Sequence, residues 1–196
     1  MLSSIHPLGE RGRNKRWGVT VTSFTIASTA TGATIGAILG AAGSTMLRSA
    51  SADVLLAATA IAALAAGALD LARVSPPGPE RQVNETWIGH YREWVYGGAF
   101  GAQLGTGVVT YVVTWGVYAV LVAEFSSTSP IGGAVIGATF GLGRSLALIL
   151  AGRIDRPSRL SSFHERMASL GPMLHRTTAA GASIIGTAGI IGSLGL

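Results

Sequence analysis

The stretch GGAVIGATFGLGRSLALIL, residues 132–150, interrupts a run of small and apolar residues with one arginine, Arg144. At about 1.5 Å of rise per residue, nineteen or twenty such residues cross roughly 30 Å of hydrocarbon as a helix. Gly133, Gly137 and Gly141 recur every fourth residue, and Arg144 follows three later. At about 100° per residue all four share one helical face, so the arginine is expected to point at a neighbouring helix and not at lipid. It lies nine residues before Arg153, or about 13 Å along the helix. Helical side chains lean toward their own N-terminus, which makes escape to the nearer water layer awkward. An arginine at that depth costs about 2.5–3.5 kcal/mol on insertion scales and marks a function or a buried pair.

The rest of the chain agrees with a membrane setting. Of its 196 residues, 48% are hydrophobic and 12% charged, whereas soluble domains carry about 25% charged residues. The charges gather in three clusters between continuous apolar stretches, which is the pattern of helices and not of an alternating β-barrel. The expected fold class is all-α: a polytopic helical membrane protein forming one transmembrane domain over residues 1–196. Spans are predicted at about 20–47, 52–74, 95–123, 130–151 and 177–196. The first and third lie in stretches of 31 and 32 residues (Trp17–Leu47 and Trp94–Phe125). Both exceed the roughly 20 a span requires, so each is expected to be tilted, broken or extended beyond the bilayer. The first stretch is too long for a cleaved signal peptide and is expected to be retained as a span. Interfacial helices are expected at about 80–93, where Trp87, Tyr91 and Trp94 recur, and at 158–170.

Basic residues set the orientation. With the N-terminus in the cytoplasm, twelve of fourteen fall inside: Arg11, Arg13, Lys15, Arg16, Arg73, Arg81, Arg92, Arg153, Arg156, Arg159, Arg166 and Arg176. Arg48 falls outside and Arg144 within a span, so the positive-inside rule predicts an N-in, C-out protein of the cell's inner (plasma) membrane. The net charge of +5 then faces anionic lipid, and no nucleic-acid partner is needed. The absence of cysteine excludes thiol redox chemistry and Cys-ligated metals. His6, His90, His164 and His175 are too scattered to form a metal box, and no cofactor is expected.

Glycines form three rails with four-residue spacing: Gly32, Gly36 and Gly40; Gly97, Gly101 and Gly105; and Gly133, Gly137 and Gly141. Because lipid offers no hydrophobic drive for helices to associate, close backbone approach through small residues is the expected packing device. Inside the spans the polar candidates are few. Asp70 could pair with Arg144 or locally with Arg73, and Gln103 lies near the depth of Arg144. Gln103, Thr106, Thr110 and Thr114, spaced 3, 4 and 4, would form one stripe on a continuous third helix.

GATIGAILG (32–40) matches GAVIGATFG (133–141) at six of nine positions, in helices predicted to run oppositely. This is the form of an inverted repeat, whose interface holds the site in many transporters. The segment GAVIGATFGLGRSLALILAGR (133–153), with GAFGAQLGTGVVTYV (98–112), resembles the glycine-rich helices of CcdA-like transmembrane proteins, which include the membrane part of DsbD. The resemblance implies inverted three-helix repeats and transport of reducing equivalents, but the paired redox cysteines of that family are missing here. Thiol electron transfer is therefore untenable. No convergent carboxylates, histidine ligands or nucleophile–base pair point to an enzyme. Two readings compete. The favoured one is a transporter-like protein with Arg144 and the Gln103–Thr114 stripe near its path. The other is a non-catalytic subunit of a larger membrane complex. The expected partners are the bilayer and either other membrane subunits or further copies of the chain.

Overall fold

A computed structural model describes residues 7–79, 86–150 and 152. The predicted spans at 177–196 and interfacial helix at 158–170 lie outside the described residues, as do residues 80–85 of the other interfacial helix. Along the chain come α1 (Pro7–Gly12), α2 (Trp17–Met46), α3 (Ala52–Leu71), α4 (Trp87–His90), α5 (Glu93–Gly105), α6 (Gly116–Ser126) and α7 (Pro130–Leu150), with no strand among the described residues. By length and composition α2, α3 and α7 can each cross a membrane, and the chain is a helical membrane protein. Their outward side chains fit that solvent: Ile26, Ile38, Ile61 and Val135 are exposed, and Ile131 is 78% exposed. Water would penalise so much apolar surface, whereas lipid accepts it.

The longest helix, α2, is the hub, packing most extensively on α7 and then on α5. Its first half carries Thr20, Phe24 and Ser28 against Gly97, Gly101 and Gly105 of α5, so these two helices run parallel. Its second half carries Gly32 and Gly36 against Gly137 and Gly133 of α7, so those two run antiparallel. A Cβ at any of these glycines would overlap the facing backbone. Gly40 is equally close to the Ser129 carbonyl and Gly141 to that of Ser28. The Ser28 hydroxyl also donates to the Gly141 carbonyl at 2.9 Å. Gly32 and Gly36 are the first two glycines of one sequence repeat, and Gly133 and Gly137 are those of the other. Their pairing is reciprocal, first with second and second with first, as a local two-fold axis between the helices would give.

Of the outcomes its excess length allowed, the third apolar stretch takes the broken one. Residues 95–123 do not form one helix: α5 has 13 residues, α6 has 11, and each is shorter than the roughly 20 a span requires. Residues 106–115 between them are irregular. Two local causes act together. Gly107 takes a positive φ of 79°, which ends α5 in a conformation that glycine tolerates well. The run Val108-Val109-Thr110-Tyr111-Val112-Val113-Thr114 that follows is almost wholly β-branched and poor at continuing a helix. Residues after α3 strap the break in place. The Trp115 indole donates to the Val74 carbonyl at 2.8 Å, and the Tyr118 hydroxyl donates to that of Pro77. The second span also ends earlier than predicted, at Leu71, with Arg73 in a left-handed turn of φ 57°.

An apolar core gathers at the N-terminal ends of α2 and α5. Val21, Phe24, Ile88, Tyr96, Phe100 and Leu148 are buried together, flanked by Trp17, Trp87 and Leu104. Trp87 stacks on Phe100 with ring centroids 6.1 Å apart. The predicted interfacial aromatics thus divide: Trp87 joins this core, while Tyr91 and Trp94 are exposed.

Candidate functional site

Breaking a helix creates two new ends. The last carbonyls of α5 and the first N–H groups of α6 lose their intrahelical partners and need others. Asp70 serves the α6 end. Its side chain is buried, its Oδ1 accepts the Trp115 backbone N–H at 2.9 Å, and its Oδ2 accepts the Thr114 hydroxyl. The Thr114 oxygen in turn accepts the Gly116 N–H at 3.0 Å. A carboxylate is thereby set at the positive end of the α6 dipole.

Arg144 serves the other end. Its Nη1 donates to the Leu104 carbonyl, in the last turn of α5, at 3.0 Å. The guanidinium carbon lies 5.3 Å from the centroid of the Phe140 ring, one turn earlier on α7. A cation therefore meets the negative end of α5. Two pairings expected from sequence are corrected here. Asp70 makes no ion pair with Arg144 or Arg73 among the described residues; each intramembrane charge instead satisfies one terminus of the interrupted helix. Gln103 also does not bond Arg144, whose acceptor is the carbonyl next along.

The Gln103, Thr106, Thr110 and Thr114 stripe is corrected as well, because the helix that would align it stops at Gly105. Thr106 turns back to donate to the Gln103 carbonyl at 2.7 Å. Thr110 is buried within the irregular segment, and Thr114 reaches Asp70. Thr114 and Asp70 thus meet at the start of α6, while Arg144 is at the end of α5 and Gln103 supplies the carbonyl that Thr106 bonds.

Two acidic residues were not singled out in the sequence. Glu10, on α1, has a fully buried side chain. It pairs with Arg13 at 2.8 Å, accepts the Thr20 hydroxyl at 3.0 Å, and accepts the Tyr96 hydroxyl on the same oxygen. Lys15 closes this cluster by donating to the carbonyls of Ile88 and Tyr91, the latter at 2.7 Å, with its ammonium 4.7 Å from the Tyr96 ring centroid. Arg13 and Lys15, counted in the sequence only for the side of the membrane their charge marks, therefore take part in a clasp. The available signal was Glu10 itself, a lone acid among Arg11, Arg13, Lys15 and Arg16. Glu124, on α6, sequence reasoning placed just past the end of a span. It is 2% exposed, and its Oε2 has no hydrogen-bond partner. Among the described residues no three of His, Cys, Asp and Glu converge as a metal site would require.

No protein-family model, curated protein or solved structure matches the chain.

Proposed function

We propose that this chain is a transporter-like, multi-pass protein of the cell's inner membrane, in which the break between α5 and α6 lies on the path of a small polar solute. The observation that carries the reading is the placing of Asp70 and Arg144 at the two ends of one interrupted helix. Discontinuous helices recur at transporter sites because their exposed termini can bind polar solutes and ions within the membrane. Arg144, held by a single backbone carbonyl, retains donors for an anionic group. The fuller architecture belongs to the same proposal: five spans with N-in, C-out orientation, held by glycine rails, and distantly like the CcdA-like proteins in plan but not in thiol chemistry.

The alternative, a non-catalytic subunit packed on larger partners through its rails, has less support. Gly32, Gly36, Gly133 and Gly137 already occupy one another within the chain, so a partner would need a different surface. The test is native purification with mass spectrometry of bound small molecules and companion proteins. Uptake of any solute so found is then measured in proteoliposomes for the parent and for Arg144→Gln. We expect a co-purifying solute and loss of uptake in a variant that keeps its size-exclusion profile. A stoichiometric protein companion, with no solute and no uptake, would favour the subunit reading.

A further inference from the structure

We infer that Glu124 is a proton-binding site inside the helix bundle, occupied when α2, α6 and α7 are packed together. Its carboxyl reaches the glycine crossing of α2 and α7. Oε1 lies 2.9 Å from the position a Cβ on Gly137 would take, where Gly137 also abuts Gly32 of α2. Oε2 is buried and bonds to nothing.

Among the described residues, no cation faces this carboxyl from the surrounding helices. The α2 helix contains no titratable residue. On α7 the single charge is Arg144, seven residues beyond Gly137 and turned to the Leu104 carbonyl. On α3, Asp70 is engaged at the start of α6, and Asp53 is exposed at the far end of its helix. Tyr118 of α6 is directed to the Pro77 carbonyl. A carboxylate here would be a buried charge with neither counter-ion nor donor on one oxygen, an arrangement that proteins avoid by taking up a proton. The neutral acid carries no charge to compensate and so tolerates this burial far better. Release of the proton therefore requires that the crossing loosen enough to admit water, which couples protonation of Glu124 to the spacing of the three helices. The inference does not depend on the proposed transport function; if that function holds, it names a group through which protons could act on it.

A lipid-soluble carbodiimide tests the site. A protonated carboxyl gives its proton to a carbodiimide nitrogen while the carboxylate oxygen adds to the central carbon. The O-acylisourea then rearranges to a stable N-acylurea with nothing lost. Purified full-length protein in detergent or lipid is treated with N,N′-dicyclohexylcarbodiimide across a pH series, and the adduct is mapped by peptide mass spectrometry. One adduct on Glu124 is expected, falling about tenfold per pH unit above its midpoint, and little reaction is expected with a water-soluble carbodiimide. Glu124→Gln should abolish the adduct and flatten the pH dependence of thermal unfolding in the alkaline range. Absence of a Glu124 adduct at every pH in the parent protein overturns the inference, even if the variant fails to fold. So does equal labelling by the water-soluble reagent.

Discussion

Arg144 and Asp70 illustrate how an intramembrane charge can be satisfied without an opposite charge. Each bonds backbone groups that a broken helix leaves bare, so their contributions are separable. Arg144→Ala strands the Leu104 carbonyl and is expected to destabilise the protein by about 1–3 kcal/mol, the cost of an unsatisfied buried group. Arg144→Lys, which keeps a donor and a cation, should recover part of that loss. Asp70→Ala removes the cap of α6 and should cost about 0.5–2 kcal/mol, with Asp70→Asn intermediate. Thermal unfolding of the purified variants measures both series, and an Arg144→Ala, Asp70→Ala double variant that is additive would confirm that the two do not pair. The Glu10 cluster should behave oppositely. Glu10→Gln and Tyr96→Phe share one hydrogen bond, so a double-mutant cycle should return a coupling of about 0.5–3 kcal/mol.

The glycines set the scale of the helices. Gly36→Ala forces a methyl group into the Gly133 carbonyl, where neither backbone can move alone, and a loss at or above about 1–3 kcal/mol is expected. Gly98→Ala, on α5 but with nothing within 4 Å of the added carbon, should be neutral or stabilising by up to about 1 kcal/mol. Unfolding midpoints in one detergent give the comparison, and equal effects would contradict the tight crossing. The apolar runs were legible in the sequence because they are long and continuous, and the glycine spacing because it repeats every fourth residue. The excess length of the third stretch already allowed for a break, but its place at 106–115 was not legible, because mean apolarity is blind to β-branching and to the sign of a glycine φ. The threonine stripe followed from assuming one unbroken helix, and it failed with that assumption. Glu124 was missed for a related reason: position along a run does not reveal that a side chain turns inward to a crossing.

For the whole molecule, the sidedness inferred from basic residues can be tested directly because the chain contains no cysteine. Single cysteines at exposed Arg11 and at exposed Ser49, between α2 and α3, should react with a membrane-impermeant maleimide from opposite sides of the sealed membrane that holds the protein. On the N-in reading, Ser49→Cys labels in intact cells and Arg11→Cys only after the membrane is opened. The reverse result would invert the topology while leaving the packing untouched, since helix contacts do not record which side is the cytoplasm.

The central place of α2 also has a consequence for biosynthesis. Its bond from Ser28 to Gly141 spans 113 residues, so the ribosome has delivered most of the chain before that seam can close. Until then the bare backbone around Gly32 and Gly36 must wait in lipid with only its neighbours in sequence for company. Closure comes late and depends on the last described helix, leaving a newborn chain longest exposed at the joint on which its final form most depends.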